Sequence, residues 1–363
     1  MRRAIFISYL SKEYSRSAVL ASALKKYSGL EIEFFMLENF RFRAIFRLRK
    51  YLRRLDRDEN LLIVMAPAHL AVVPTRIFFK GKIVLDAGWP LSDSSEIREG
   101  RKSFSYIRDK FIDRLSFYMA DIVLLESQAQ LERVAGNRRS FARSSLQISY
   151  SGLKEDRFET EEAAPTSRSA IGSREPIKVL FRGKYNQEAG LELIESAFEN
   201  RSDFQLTIAC SDLPINHPRV TGINYVVGIL NQNELRSIFL DSDLALGQFG
   251  EPDRVSWTIP HKIFEYAYFG IPTVCLEQTA VTEIFTEEQF FFVKRNSLNE
   301  FLDVLSIDQK KTREILLLKS KSVRNQFLKL CSERAIARHF LRVIEDPRIS
   351  HMPGHENLDI SQQ

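Results

Sequence analysis

The sequence predicts an α/β protein with parallel sheets covered by helices on both faces, and three observations carry that prediction. Strand-like and helix-like segments alternate along most of the chain, one small polar stretch interrupts the alternation, and 363 residues suffice for two cores of ordinary size. Hydrophobic content of 44% and charge of 27% exclude a disordered chain or one that is mostly membrane-embedded.

In the first half the strand candidates are Ala4–Tyr9, Glu31–Met36, Leu61–Met65, Ile83–Asp86, Ile122–Glu126 and Gln147–Ser149, with helices such as Ser17–Tyr27 and Ser105–Ala120 between them. Six strands joined by crossovers make a Rossmann-like domain over residues 1–160. Residues 161–174, EEAAPTSRSAIGSR, are small and polar without a clear period, and read as a linker. A second Rossmann-like domain follows over residues 175–332, with strands at Ile177–Arg182, Gln205–Ala209, Ile223–Val227, Leu244–Gln248, Thr273–Leu276 and Phe290–Val293. Its helices lie near Gly190–Glu199, Gln232–Phe239 and Pro260–Phe269. A last helix takes residues 333–346, and residues 347–363 read as a mobile tail.

The longest apolar run, Leu61 to Val73, is broken by Pro67 and His69 and is too short to cross a bilayer. Ala4–Leu10 follows Arg2 and Arg3 but lacks a small-residue cleavage site, so it reads as a first strand rather than a secretion signal. Cys210, Cys275 and Cys331 are widely separated, which fits a reducing, cytoplasmic compartment, and neither they nor the six histidines show metal-ligand spacing. No metal is therefore expected.

Charge is uneven. Residues 1–160 hold 29 Lys and Arg against 19 Asp and Glu, so the net +5 of the whole chain rests on its first half. Much of the excess lies in Arg41–Arg57, where Ile45, Leu48, Leu52 and Leu55 form an apolar stripe at helical spacing beneath Arg43, Arg47, Arg49, Lys50, Arg53 and Arg54. This pattern suits a packed helix with solvated arginines, or one offering them to an anionic membrane surface or lipid diphosphate. A second basic and aromatic stretch, Arg98–Arg114, fits the same surface. Nucleic acid is disfavoured, because no helix-turn-helix, zinc-finger or RNP-like pattern accompanies the charge.

The segment TIPHKIFEYAYFGIPTVCLE, Thr258–Glu277, marks both ends of one helix. Thr258 is placed to cap it, Pro260 suits its first turn, and Gly270 with Pro272 ends it. Ile263, Phe264 and Ala267 form an apolar face, leaving His261, Lys262 and Glu265 on the other. From the residues alone, Lys262 and Glu265 fit either a solvated pair or a charged helix start that seats a diphosphate. After the strand Ile177–Arg182, Gly183 lets a ligand approach the backbone, and Lys184 is either a phosphate ligand or a surface lysine.

The run PHKIFEYAYFGIP, Pro260–Pro272, resembles the donor-site helix of the group 1 family of GT-B glycosyltransferases, which carries P-x-K-x-x-E-(Y/A)-x-x-x-G-x-P. Three more segments resemble that family in the expected order: ISYSGLKEDRF at Ile148–Phe158, VLFRGKYNQEAGLELIESAF at Val179–Phe198, and GILNQNELRSIFLDSDLALGQF at Gly228–Phe249. The resemblance covers about residues 80 to 345. It implies two Rossmann-like domains facing each other across a cleft, with the last helix crossing back to the first domain.

It also implies transfer of a sugar from a nucleotide diphosphate donor to a glycan or lipid-linked acceptor in cell-surface polysaccharide synthesis. No cofactor is expected beyond the nucleotide sugar as co-substrate, and peripheral contact with the inner face of the membrane is. A nucleotide-sugar epimerase and a non-catalytic scaffold share the architecture and stand as alternatives. By resemblance, Glu265 accepts from the ribose hydroxyls, and Gly183, Lys184, Arg182, Lys262, Thr258 and His261 surround the donor. Two positions depart from the pattern: Ala189 replaces a second diphosphate lysine, and Trp257 replaces a sugar-contacting glutamate. Glu251 or Asp253 can fill that space, and Trp257 suits stacking or a domain interface. The Gly-rich loop common after the first strand is replaced by Ser11–Ser15. Asp86, at a strand end, is the catalytic candidate: a base if transfer inverts, an acceptor-orienting group if it retains, or simply a turn cap.

Overall fold

The structure is a computed structural model that describes residues 1–9, 15–37, 42–136, 145–158, 176–251 and 253–346. The linker 161–174, the tail 347–363 and the segment 11–14 lie outside the described residues. The chain divides into two compact units, Met1–Lys154 together with the stretch from Leu330 on, and Glu155–Lys329.

The first unit runs β1 (Arg3–Ser8), α1 (Ser15–Tyr27), β2 (Glu31–Met36), α2 (Phe42–Leu52), β3 (Asn60–Met65), α3 (Val72–Phe78), β4 (Ile83–Gly88), α4 (Leu91–Glu99), α5 (Phe104–Met119), β5 (Ile122–Leu125), α6 (Gln128–Ala135) and β6 (Ser145–Ile148). Its strands are parallel in the order β2-β1-β3-β4-β5-β6. Side chains alternate across the sheet because a strand repeats every two residues. Ile5, Ile7, Leu62, Val64, Leu85 and Val123 face a core closed by Leu48 and Leu52 of α2 and Phe117 of α5. Ala4, Phe6, Ile63, Val84 and Leu124 face the opposite core, closed by Leu20 and Leu24 of α1.

The second unit contains β7 (Ile177–Gly183), α7 (Leu191–Phe198), β8 (Phe204–Cys210), β9 (Asn224–Val227), α8 (Gln232–Asp241), β10 (Leu244–Leu246), α9 (His261–Tyr268), β11 (Thr273–Leu276), α10 (Thr279–Thr282), β12 (Phe291–Val293), α11 (Leu298–Ile307) and α12 (Gln309–Leu330). The parallel order β12-β11-β10-β7-β8-β9 is doubly wound: strands grow outward in both directions from the β7/β10 pair. That pair is the topological switch point, where open α/β sheets bind ligands at their carboxyl ends. The second unit's main core lies on the Val179, Phe181, Leu206, Ile208 and Leu246 side of the sheet. Phe158, Phe239, Tyr266, Phe269, Tyr268 and Phe327 form a linked aromatic cluster, with Phe239 stacked on Phe269 at 4.8 Å between ring centroids.

The last helix, α13 (Glu333–Glu345), belongs to the first unit. Ile336, Phe340 and Val343 fill the core beside α1, and the buried Glu333 carboxylate takes Lys26 Nζ at 2.5 Å. Gly152, the glycine of the ISYSGLKEDRF segment, sits where this helix begins. Its φ is +62°, and a Cβ there would overlap the Cys331 carbonyl oxygen and the Ile336 side chain. Gly152→Ala is expected to lower stability by at least about 2 kcal/mol, read from urea unfolding, since the left-handed backbone and the overlap both oppose a side chain.

Candidate functional site

Two loops meet at the switch point of the second unit. The β7–α7 loop and the chain after β10 are joined by Phe249 N to Ala189 O at 3.1 Å and Gly250 N to Glu188 O at 3.1 Å. Only glycine fits at two places along this seam. A Cβ on Gly190, whose φ is +65°, would lie 2.6 Å from the Phe249 carbonyl carbon, and one on Gly250 would overlap the Gln187 carbonyl oxygen. Ala189 is 3% exposed and packs in the core, so no cation stands at that position. Lys184, just beyond Gly183 at the end of β7, is exposed.

Helix α9 departs from the expected helix in two respects. Its N-cap is Pro260, extended at ψ 133°, with no capping side-chain hydrogen bond, so Thr258 lies too far upstream to cap it. Its charged side is not solvated either, because every residue from Lys262 to Tyr268 is buried. The helix stop is as expected. Gly270 N bonds Ala267 O at 3.0 Å and Ile271 N bonds Tyr266 O at 2.9 Å, a Schellman closure with Gly270 at φ +64°.

Burial turns the two charges of α9 inward, each to its own partners. Lys262 Nζ donates to Gly247 O at 2.9 Å and lies 3.7 Å from the Phe181 ring centroid. An added Cβ on Gly183 would sit 3.6 Å from that nitrogen, so the amine stands between the ends of β7 and β10. Burial, and then Arg182, push its pKa well below the ordinary lysine value. Glu265 is fully buried, and its Oε2 accepts from Arg182 Nη1. Arg157 Nη1 and His261 Nδ1 each lie 3.8 Å from Oε1, which has no hydrogen-bond partner among the described residues. Burial lowers the pKa of His261, which favours the neutral imidazole beside this carboxylate. Tyr266 Oη accepts from Arg182 N at 2.8 Å and fixes the end of β7.

Arg182, His261, Lys262 and Glu265 are therefore brought together, with Gly183 and Lys184 at the adjoining strand end. Arg157 was missed by the residue-level reading. The signal was its place in the ISYSGLKEDRF segment.

The sugar-contact candidates scatter. Glu251 is exposed and pairs with Arg295 at 2.9 Å. Trp257 is half-buried, and the side chain of Asp253 lies outside the described residues.

In the first unit, Asp86 is 1% exposed and accepts from Arg16 Nε at 2.7 Å. The same guanidinium donates to Ser151 Oγ at 2.8 Å and Ser149 O at 2.9 Å, and Ser151 Oγ donates to Glu126 Oε1 at 2.7 Å. Of the three readings of Asp86, this arrangement fits neither the turn cap nor the base. It does not cap a turn, and a base must reach the hydroxyl it deprotonates, whereas this carboxylate is enclosed and occupied by Arg16. On α2, Leu48 and Leu52 are buried as the stripe predicts, while Arg43, Arg47, Lys50, Arg53 and Arg54 are exposed and Arg49 lies 5.5 Å over the Phe78 ring.

Among the described residues no group of His, Cys, Asp or Glu side chains is arranged to hold a metal ion, and no helix is long and apolar enough to cross a membrane. All three cysteines are free and buried.

No protein-family model matches the chain, and no curated protein does. Solved structures do. Sucrose-phosphate synthase from Thermosynechococcus elongatus aligns at a TM-score of 0.69 and 12% identity over 96% of this chain and 99% of its own. Anabaena HepE in complex with UDP-glucose aligns at a TM-score of 0.66 and 12% identity over 95% and 100%. A glycosyltransferase from Rickettsia africae aligns at a TM-score of 0.66 and 11% identity over 96% and 100%. At such identities the likeness establishes architecture. With two parallel six-stranded sheets and these structural matches, the chain has the two-domain α/β fold of the GT-B glycosyltransferases.

Proposed function

We propose that the chain is a glycosyltransferase that moves a sugar from a nucleoside diphosphate sugar onto a glycan or lipid-linked acceptor in cell-surface polysaccharide synthesis. One observation carries the reading: a fully buried carboxylate, Glu265, keeps an acceptor oxygen without a hydrogen bond at the switch point of a doubly wound sheet. A buried acceptor left unmade costs about 1–3 kcal/mol, and a ribose hydroxyl donating to Oε1 removes that cost.

The diphosphate is assigned to Lys184, with Arg182 and Lys262 as neighbouring cations and the N-terminal amides of α9 facing the charge. As the bond from the anomeric carbon to the diphosphate oxygen breaks, these groups hold the developing negative charge without a metal. The similar HepE structure contains UDP-glucose, so a uridine nucleotide is the first donor to try. Incubation of the protein with a panel of nucleotide sugars in chelator, read as nucleoside diphosphate release, tests the proposal. Failure of every donor to bind or turn over would overturn it.

A non-catalytic scaffold of the same fold is favoured by one observation, the core alanine at position 189 where a second cation is expected. Calorimetry with nucleoside diphosphates separates the readings, because a scaffold has no need to bind them.

Lys262 gives the site a pH signature. Burial disfavours its ammonium, so the folded protein holds that proton less tightly than the unfolded chain. A diphosphate reverses the preference. Binding is therefore expected to take up a proton, and affinity to fall as pH rises above the lowered value of the free site. Calorimetry in buffers of different ionisation enthalpy measures this uptake, which Lys262→Met should abolish.

A further inference from the structure

Helix α5 is built inside out. Its two acids are buried: Asp113 accepts from Leu91 N at 3.0 Å and Ser92 N at 2.9 Å, and Asp109 accepts from Ser95 Oγ. Its exposed side carries Phe104, Ile107 and Phe111, which are 80%, 60% and 66% exposed and stand at i, i+3 and i+7 on one face. Every exposed residue from Arg101 to Tyr118 is either basic or large and apolar, and no acid is among them. Lys110 follows Ile107 by three positions and Arg114 follows Phe111 by three, so both cations flank the stripe. Beside them α4, α5 and α6 line a cavity of about 330 Å³.

A soluble helix normally buries its apolar stripe and shows its charges to water. Three large apolar side chains in one exposed row, with Lys102, Lys110 and Arg114 beside them, are complementary to one kind of surface: an anionic interface with an apolar interior. We infer that α5 docks the first unit on an anionic phospholipid membrane, with Phe104, Ile107 and Phe111 entering the acyl boundary and Lys102 and Arg114 meeting phosphates, while Arg108 is held by Asp109. Of the two basic stretches that the sequence suggested, this favours Arg98–Arg114 over Arg41–Arg57. Among its described side chains, helix α2 spends Leu48 and Leu52 on the core and leaves one large apolar group, Phe46, 63% exposed in solvent, against the row of three on α5. The proposal goes beyond the donor-site reading, and vesicle binding is measured without nucleotide, so either can fail alone.

The test is co-sedimentation of the full chain with vesicles of phosphatidylcholine, with and without phosphatidylglycerol. The expected result is partitioning at least about tenfold stronger onto the anionic vesicles and weakened by salt. Phe104→Ser with Phe111→Ser should reduce it at least about tenfold, whereas Arg47→Gln with Arg54→Gln on α2 should reduce it less. Both phenylalanines are exposed, so the unfolding midpoint should hold; if the double variant unfolds, Phe111→Ser alone carries the comparison. Absence of vesicle binding, equal binding to neutral vesicles, or full binding by the phenylalanine variant would overturn the inference. So would sedimentation equilibrium showing a dimer that the phenylalanine variant splits, since the stripe would then be covered by a second copy.

Discussion

Arg16→Met is expected to destabilise the first unit by about 3–5 kcal/mol, the range for a buried ion pair that loses one partner. Arg16 is 5% exposed, and it stands against Asp86 at 1% and Glu126 at 4%. Methionine fills much of the volume but leaves the Asp86 carboxylate enclosed without the Arg16 charge, and it removes the donors to Ser149 O and Ser151 Oγ. Urea unfolding measures the loss. Because Arg16 belongs to the first unit, nucleoside diphosphate binding at the second should persist in conditions where the variant remains folded. A loss below about 1 kcal/mol would mean that the network is reached by water, and would reopen Asp86 as a group accessible to substrate.

Glu265→Gln is expected to weaken nucleoside diphosphate affinity by about ten- to hundredfold, corresponding to the 1.5–3 kcal/mol of a hydrogen bond to a charged group. Glutamine keeps the size and one acceptor oxygen, so the loss reports charge. Its effect on stability should be small, since Arg182 is 27% exposed and reaches water once released. Arg182→Ala should behave in the opposite way. It strands a carboxylate of 0% exposure without its nearest cation, and a loss of about 3–5 kcal/mol is expected. The two variants together separate a carboxylate kept for ligand from one kept for structure: thermal unfolding should register mainly Arg182→Ala, calorimetry mainly Glu265→Gln.

Much of the fold was legible because its elements obey local rules. The strands Glu31–Met36 and Thr273–Leu276 match the reading residue for residue, and the helix read over residues 333–346 ends one residue earlier, at Glu345, their boundaries being set by apolar runs and breakers. The stop of α9 at Gly270 was legible for the same reason: left-handed backbone and a following proline are sequence-local facts.

What failed was the assumption that charged residues face water. Helical spacing placed Lys262 and Glu265 on one polar side, but spacing does not say whether a second layer lies over that side. Here Arg182, Arg157 and the Gly247 carbonyl do. The same assumption hid the inversion of α5, whose acids are satisfied by two amides and a hydroxyl of α4. Arg16 and Asp86 are 70 residues apart, and no periodicity links them. Pairings of that kind come from topology: the sheet order brings the ends of β4, β5 and β6 together, and the start of α1 crosses over them.

The claim that the second unit's switch point holds a nucleoside diphosphate is tested most directly by titrating UDP into the wild-type chain and into Glu265→Gln by calorimetry in chelator. One site per chain is predicted, with affinity about ten- to hundredfold weaker in the variant. UDP binding that Glu265→Gln leaves unchanged, or no binding of UDP or GDP to the wild type, would contradict it.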